Sequence, residues 1–205
     1  MDEDRIWAAI DQERQSLADL LDDLSPDEWQ AGSLCEHWTV RDVGAHLTLA
    51  HTSTPTALRE MVRARGSVNR MIHDTAVRHR PPLHDLSRSL RSMVGSHRTA
   101  PGITSLEPLI DALVHGQDIA LPLGRTRPVP PEPAAAALER VWTMGWPFHA
   151  RRRLNGVRLI ATDADWSAGS GSELRGPAGA VLLLATGRRP AALRTLEGPG
   201  RDCVG

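Results

Sequence analysis

The chain has 205 residues, 40% of them hydrophobic and 24% charged, with a formal net charge of −1. This is ordinary for a globular protein with a core of its own, and it excludes a global electrostatic case for nucleic acid or an anionic membrane. Every basic residue is arginine and there is no tyrosine, so Schiff-base lysine chemistry, a P-loop lysine and tyrosine acid–base chemistry are excluded. Cys35 and Cys203 are too few for a disulfide scaffold. The first residues are acidic with no apolar h-region, and the longest strongly apolar run, 180–185, is too short for a bilayer. A cytoplasmic protein without a membrane partner is the expectation. Charge is uneven: the first 28 residues hold ten acids and two arginines, whereas 59–98 holds nine arginines and three acids. That basic segment is read as a solvated face or as a wall for a small anion.

The elements follow in chain order. Ile6, Ile10, Leu17, Leu20, Leu21 and Leu24 keep helical spacing and predict an amphipathic helix over 4–24. Ser25-Pro26-Asp27-Glu28 is a cap with proline at the first helical position, opening a short turn with Trp29. A loop over 31–36 leads to a helix opened by Thr39 and Asp42, a capping box with Asp in place of the usual Glu. Trp38 and Val43 are placed as its hydrophobic staple, and the helix is expected to run to about Thr52. Thr54-Pro55 starts a further helix through Met61 or beyond, and 62–80 reads as helical in places with Gly66 a weak point. After Pro81-Pro82, Leu83, Leu86, Leu90, Met93 and Val94 form the stripe of a helix to about His97. Leu106 to Leu121 and Pro133 to Gly145 complete the helices of the first part, joined by the proline-rich connector 128–133. Beyond residue 151 the pattern changes. Residues 156–162 read as a strand, 166–171 as a glycine-rich turn, 172–175 as a second strand, 176–187 as a helix, and 191–196 as a last helix or strand. The fold class is mainly α with a small α/β appendage, divided as a helical domain over 1–148 and a module over 149–205.

His46 lies on the apolar stripe formed by Val43, Leu47 and Ala50, so it points inward and needs a partner there. A backbone carbonyl or a water would serve; so would a metal ion. Asp111 and His115 are four apart on one helix, which stacks them on one face, and Asp118 shares that face. Together with His46 they make a His/Asp/His set with room for a fourth ligand, the pattern of a catalytic zinc site. Spacing alone leaves a second reading open, an Asp–His hydrogen bond that clamps two helices.

The run Cys35-Glu36-His37-Trp38-Thr39-Val40-Arg41-Asp42-Val43-Gly44-Ala45-His46-Leu47 resembles the C-x-G-W-T-V-R-D-V-x-A-H-L signature of the mycothiol-dependent maleylpyruvate isomerase family. Asp111-Ala112-Leu113-Val114-His115-Gly116-Gln117-Asp118-Ile119 is similar to the second signature of that family, and 161–188, with Trp166 before it settles into the glycine-rich run, resembles its C-terminal module. The resemblance spans nearly the whole chain in the right order. It implies a DinB-like four-helix bundle followed by a short C-terminal α/β module. It also implies a divalent metal, usually zinc, held by His46, Asp111 and His115. Asp118, on the same face, is read either as orienting one of these ligands from behind or as capping the helix. The sequence departs from the family at Asp111, where the isomerase has glutamate, and at His37, where glycine is common.

The resemblance implies a divalent-metal-dependent, thiol-using enzyme of the isomerase or S-transferase type, with mycothiol as cosubstrate and a small electrophile as substrate. A thiolate adding to an activated double bond, followed by rotation and loss, isomerises cis to trans; attack on a carbon bearing a leaving group is S-transfer. Two other readings are carried beside it: a non-catalytic DinB-like metal-binding or stress-response protein, and a metal-dependent hydrolase using bound water. Neither nucleic acid nor a membrane is expected as a partner. His51 is placed at the pocket mouth or in solvent, Cys35 is read as a small packed loop residue or as one that approaches the metal, and the tryptophans Trp29, Trp38, Trp142 and Trp146 as core and staple residues.

Overall fold

The computed structural model describes residues 1–49, 59–60, 63–64, 67–99 and 102–204. They form two compact units, Glu3–Arg127 on the one hand and Pro128–Gly205 with Met1–Asp2 on the other. The helical bundle and the small α/β module expected from the sequence are both present. The readings placed on Ala50, His51, the helix start at Thr54-Pro55 and the weak point at Gly66 lie outside the described residues.

The first unit is helical. Helix α1 (Glu3–Asp22) buries Ile6, Ile10, Leu17 and Leu21 on the stripe its spacing predicts. Helix α2 (Pro26–Gln30) opens with a complete capping box: Ser25 accepts from the Glu28 backbone N–H, and the Glu28 carboxylate accepts from the Ser25 N–H at 2.8 Å. Two otherwise orphaned donors are satisfied this way. Helices α3 (Val40–Thr48), α4 (Val68–Arg78), α5 (Leu83–Ser92) and α6 (Leu106–Ala120) follow. α1 packs on α5 and α6, and α3 packs on α4, α5 and α6. Their inward faces meet in one core that includes Leu17, Leu21, Trp29, Val43, Leu86 and Ile119. Each such side chain contributes about 1.5–3 kcal/mol by leaving water.

α5 ends earlier than its apolar spacing suggests. Its last residue is Ser92, and Val94, expected on the buried stripe, is exposed. The buried guanidinium of Arg14 donates to the carbonyls of Met93 at 2.6 Å and Ser96 at 2.9 Å. A charged donor thus holds the carbonyls of the turn that follows Ser92, where the Ser96 N–H also donates to the Met93 carbonyl at 3.0 Å, and the chain turns there instead of continuing.

In the second unit, α7 (Pro131–Thr143) and the short α8 (Ala150–Arg153) precede strands β1 (Val157–Ala161), β2 (Ser167–Gly169) and β3 (Ser172–Gly176). Helix α9 (Ala178–Ala185), the short α10 (Arg189–Ala192) and a 3-10 turn at Pro199–Cys203 complete it. The sheet order is β2-β1-β3, with β1 antiparallel to β2 and parallel to β3. α9, apolar on all sides, packs between α7 and the sheet. The stretch 166–171, expected as a turn, contains β2, with Ala168 opposite Leu159. The glycines that suggested a turn have another cause. Gly169 sits at φ +83, where an added Cβ would lie 2.2 Å from the Val157 carbonyl oxygen. Only glycine tolerates that approach and that φ. Trp166 is buried, donates its indole N–H to Glu139 at 3.1 Å and meets Trp142 edge-on, whereas Trp146, expected in the core, is exposed. No helix among the described residues is long and apolar enough to cross a membrane.

Candidate metal centre

α3 is set in place by its own N-terminus. Asp42 Oδ2 accepts from the Thr39 backbone N–H at 2.9 Å and from its hydroxyl at 2.7 Å, while Thr39 accepts from the Asp42 N–H. The shorter Asp closes the capping box as Glu would. Arg80 pairs with the other carboxylate oxygen at 3.0 Å, so the buried charge is compensated. With the start of α3 fixed, Val43 and Leu47 enter the core and His46 projects beside them. Its ring is tilted against Trp38, with centroids 5.3 Å apart, and meets His115 edge-on at 4.9 Å. Trp38, assigned to a staple from the sequence, therefore faces these imidazoles; it also lies 6.4 Å from the His115 ring.

α6 supplies the remaining groups. His46, Asp111 and His115 each offer one nitrogen or oxygen, and these three atoms all lie within 4.8 Å of one another. Asp118, three residues after His115, is fully buried, and its Oδ2 lies 2.8 Å from His115 Nδ1. The other ring nitrogen of His115 is thereby left for the side on which His46 and Asp111 stand. A carboxylate behind a ligating imidazole fixes its tautomer and orientation.

Cys35, read from the sequence as a small packed loop residue or as one that approaches the metal, packs against the core and also reaches this cluster. Its thiol donates to Asp118 Oδ2 at 3.1 Å and lies 3.7 Å from His115 Nδ1. The loop that carries it is clamped: Ser33 Oγ accepts from the Cys35 N–H and donates to the Trp38 carbonyl, and the Leu34 N–H donates to the Asp118 carbonyl at 3.1 Å. His37 in this loop has φ 64, the left-handed region that favours glycine, which accounts for the glycine of the signature at that position. The available signal for Cys35 was its place in the same signature as His46.

The electrostatics separate the two imidazoles. Burial first, then the charge of His115, push His46 down to about 3, so its ring is neutral and keeps a lone pair to donate. Burial also pushes His115 down, but the hydrogen bonds from its ring to Asp118 and Cys35 and the Asp118 charge outweigh it and raise His115 to about 10. Two nitrogens and one carboxylate oxygen fit a divalent cation with one coordination position to spare, the cation taking the place of the proton that His115 otherwise carries on its second nitrogen. His46 and Asp111 also line a cavity of about 350 Å³.

Other polar contacts of this unit lie elsewhere. Arg41 donates to the Pro81 carbonyl at 2.9 Å, a structural role. His97 stacks on Trp7 with centroids 4.5 Å apart. Gly116 faces Arg127: an added Cβ would lie 2.5 Å from its Nε. Arg127 pairs with Glu13, both side chains being buried, and its carbonyl accepts from Gln117 at 2.9 Å. Every residue from His115 to Asp118 thus has a defined task.

Residues 10–100 match the family model described as the mycothiol maleylpyruvate isomerase N-terminal domain. That span includes Cys35 and His46 and ends before α6. No curated protein matches the chain. Among solved structures, a mycothiol-dependent maleylpyruvate isomerase is similar at TM-score 0.59 and 17% identity, over 92% of this chain and 90% of that one. A variant of such an isomerase with one histidine replaced by alanine is similar at TM-score 0.60 and 14% identity, over 97% and 93% of the two chains. At these identities the likeness shows a shared fold. Residues 10–100 are thus similar to the N-terminal-domain model of the mycothiol maleylpyruvate isomerase family, the family its sequence motifs resemble.

Proposed function

We propose that this protein is a divalent-metal-dependent, thiol-using enzyme, a mycothiol-dependent isomerase or S-transferase acting on a small electrophile. The observation that carries the reading is the convergence of His46, Asp111 and His115, from two helices, beside a cavity large enough for a small molecule. The family match over residues 10–100 and the fold shared with mycothiol-dependent maleylpyruvate isomerases supply the reaction class.

A zinc ion held by these three residues would supply a positive charge that keeps a bound thiol in its nucleophilic thiolate form. The chain's own groups do the rest. His46, held neutral by burial, donates without first losing a proton. Asp111 brings one negative charge to the set. Asp118 holds His115 by Nδ1, so that its second nitrogen faces the other two donors. The apolar walls of the cavity, with Leu47 and Ile72 among them, keep water from a reacting nucleophile.

The test is metal content of the purified protein, followed by cobalt substitution and titration with mycothiol. A thiolate-to-cobalt charge-transfer band that saturates with mycothiol, and is lost in His46→Ala, is the expected result. Bound metal that responds to no thiol would leave a non-catalytic metal-binding protein or a water-using hydrolase. Absence of divalent metal from the wild type would overturn the reading.

A further inference from the structure

His115 has two ring nitrogens, and each faces its own set of donors. One is turned toward His46 and Asp111. The other, Nδ1, lies 2.8 Å from Asp118 Oδ2 and 3.7 Å from the Cys35 sulfur, and that sulfur lies 3.1 Å from the same oxygen. A thiol, an imidazole nitrogen and a carboxylate oxygen thus converge within the same 4.8 Å limit as the first three donors.

Zinc bonds of about 2.0–2.3 Å to oxygen, nitrogen and sulfur put the edges of a coordination tetrahedron at about 3.3–3.6 Å. Each of the three separations is within about half an ångström of its edge, so a cation fits after small outward movements. The donors are held in place by the fold itself. The Asp118 side chain is fully buried on α6, and the Leu34 N–H ties the Cys35 loop to the Asp118 carbonyl at 3.1 Å. Cys35 is half-buried, so the set is not sealed from solvent. A neutral thiol is a weak hydrogen-bond donor, whereas a thiolate is a strong ligand for soft cations.

We infer that Cys35, His115 Nδ1 and Asp118 form a second metal position, for a thiophilic divalent cation such as zinc or cadmium, across the His115 ring from the first. Binding releases the thiol proton and the proton held between Nδ1 and Asp118, both to solvent. With both positions filled, His115 is a bridging imidazolate. The four negative charges of Cys35, Asp118, Asp111 and that ring then match two divalent cations. The first position asks for no thiolate and no imidazolate, so it fills first. Apart from the shared ring, the inference stands on donors that the metal-and-thiol reading leaves unused.

Cadmium titration of the full chain, without mycothiol, tests it through the ultraviolet thiolate-to-cadmium band. The band should saturate with one thiolate bound per chain. It should be lost in Cys35→Ser, and Asp118→Asn should weaken the affinity it reports by at least about tenfold. It should persist in Cys203→Ser, which removes the other thiol, and in His46→Ala, which removes a donor of the first position only. Asp111→Asn repeats that last comparison from α6, and circular dichroism checks the fold of every variant. No band at saturating cadmium overturns the inference, as does a band that survives Cys35→Ser. A band lost in a folded His46→Ala or Asp111→Asn protein overturns it too, because Cys35 would then be reaching the first cation. The mycothiol-dependent cobalt band has the opposite sensitivities, lost in His46→Ala and kept in Cys35→Ser, so either reading can fail without the other.

Discussion

Oδ2 of Asp118 is shared: His115 Nδ1 lies 2.8 Å from it and the Cys35 thiol 3.1 Å. One buried oxygen thus ties the loop before α3 to the histidine of α6. Asp118→Asn keeps the shape and removes the charge that orients His115. Metal affinity is expected to fall about 10–100-fold, measured by competition with a chromogenic chelator, with the helical signal unchanged. Cys35→Ser keeps a donor to Asp118 and should stay close to wild type in the same titration, whereas Cys35→Ala should not. An Asp118→Asn protein with wild-type affinity would remove the orienting role.

Asp111 offers an oxygen directly to the candidate set with His46 and His115. Asp111→Asn is therefore expected to lose more metal affinity than Asp118→Asn. Asp111→Glu, which restores the glutamate of the resembled family, should retain the metal because the carboxylate is kept and only a methylene is added. Metal stoichiometry by mass spectrometry after dialysis distinguishes the two variants.

Gly116 bears on stability through a different contact. A Cβ there would stand 2.5 Å from Arg127 Nε, in a guanidinium whose partner Glu13 is buried with it. Gly116→Ala is expected to destabilise the protein by about 1–3 kcal/mol through overpacking. Denaturant unfolding should show a lowered midpoint with an unchanged slope. A midpoint at or above the wild-type value would mean that Arg127 moves aside without cost.

Glu28 gives a pH signature. Its hydrogen bonds to Arg125, then to the Ser25 N–H, hold its carboxyl down to about 2. A folded-state pKa below the unfolded value of about 4.3 means the unfolded chain takes up the proton first as pH falls. The stabilisation is present above about pH 4.3 and is lost as pH drops toward 2. Glu28→Gln should flatten the pH dependence of the melting temperature in that window and leave the neutral-to-alkaline limb parallel to wild type. An unchanged acid limb would show that Glu28 is not linked to folding.

Periodicity was enough for α1 and α6, because their apolar residues repeat over several turns; α9, apolar on all sides, was placed by the Gly176-Pro177 start and the stop at Gly187 instead. Periodicity failed at Val94 and at β2. A tertiary donor, Arg14, captures the carbonyls that follow α5, and a three-residue strand of small residues has too little pattern to separate it from a turn. It also left α7 without a partner, since nothing local says that α7 packs on α9.

The candidate site divides the same way. Helical spacing by itself determined that Asp111 and His115 share a face and that His46 points inward, because one turn of backbone geometry fixes both. Only the tertiary structure decided that those two faces meet within 4.8 Å, that Trp38 lies against the imidazoles as well as on the core that holds Val43, and that Cys35 joins them through Asp118. The physical reason is range. Caps and stripes are written in neighbouring residues, whereas the oxygen shared by Cys35 and His115 exists only where two helices and a loop distant in sequence pack together.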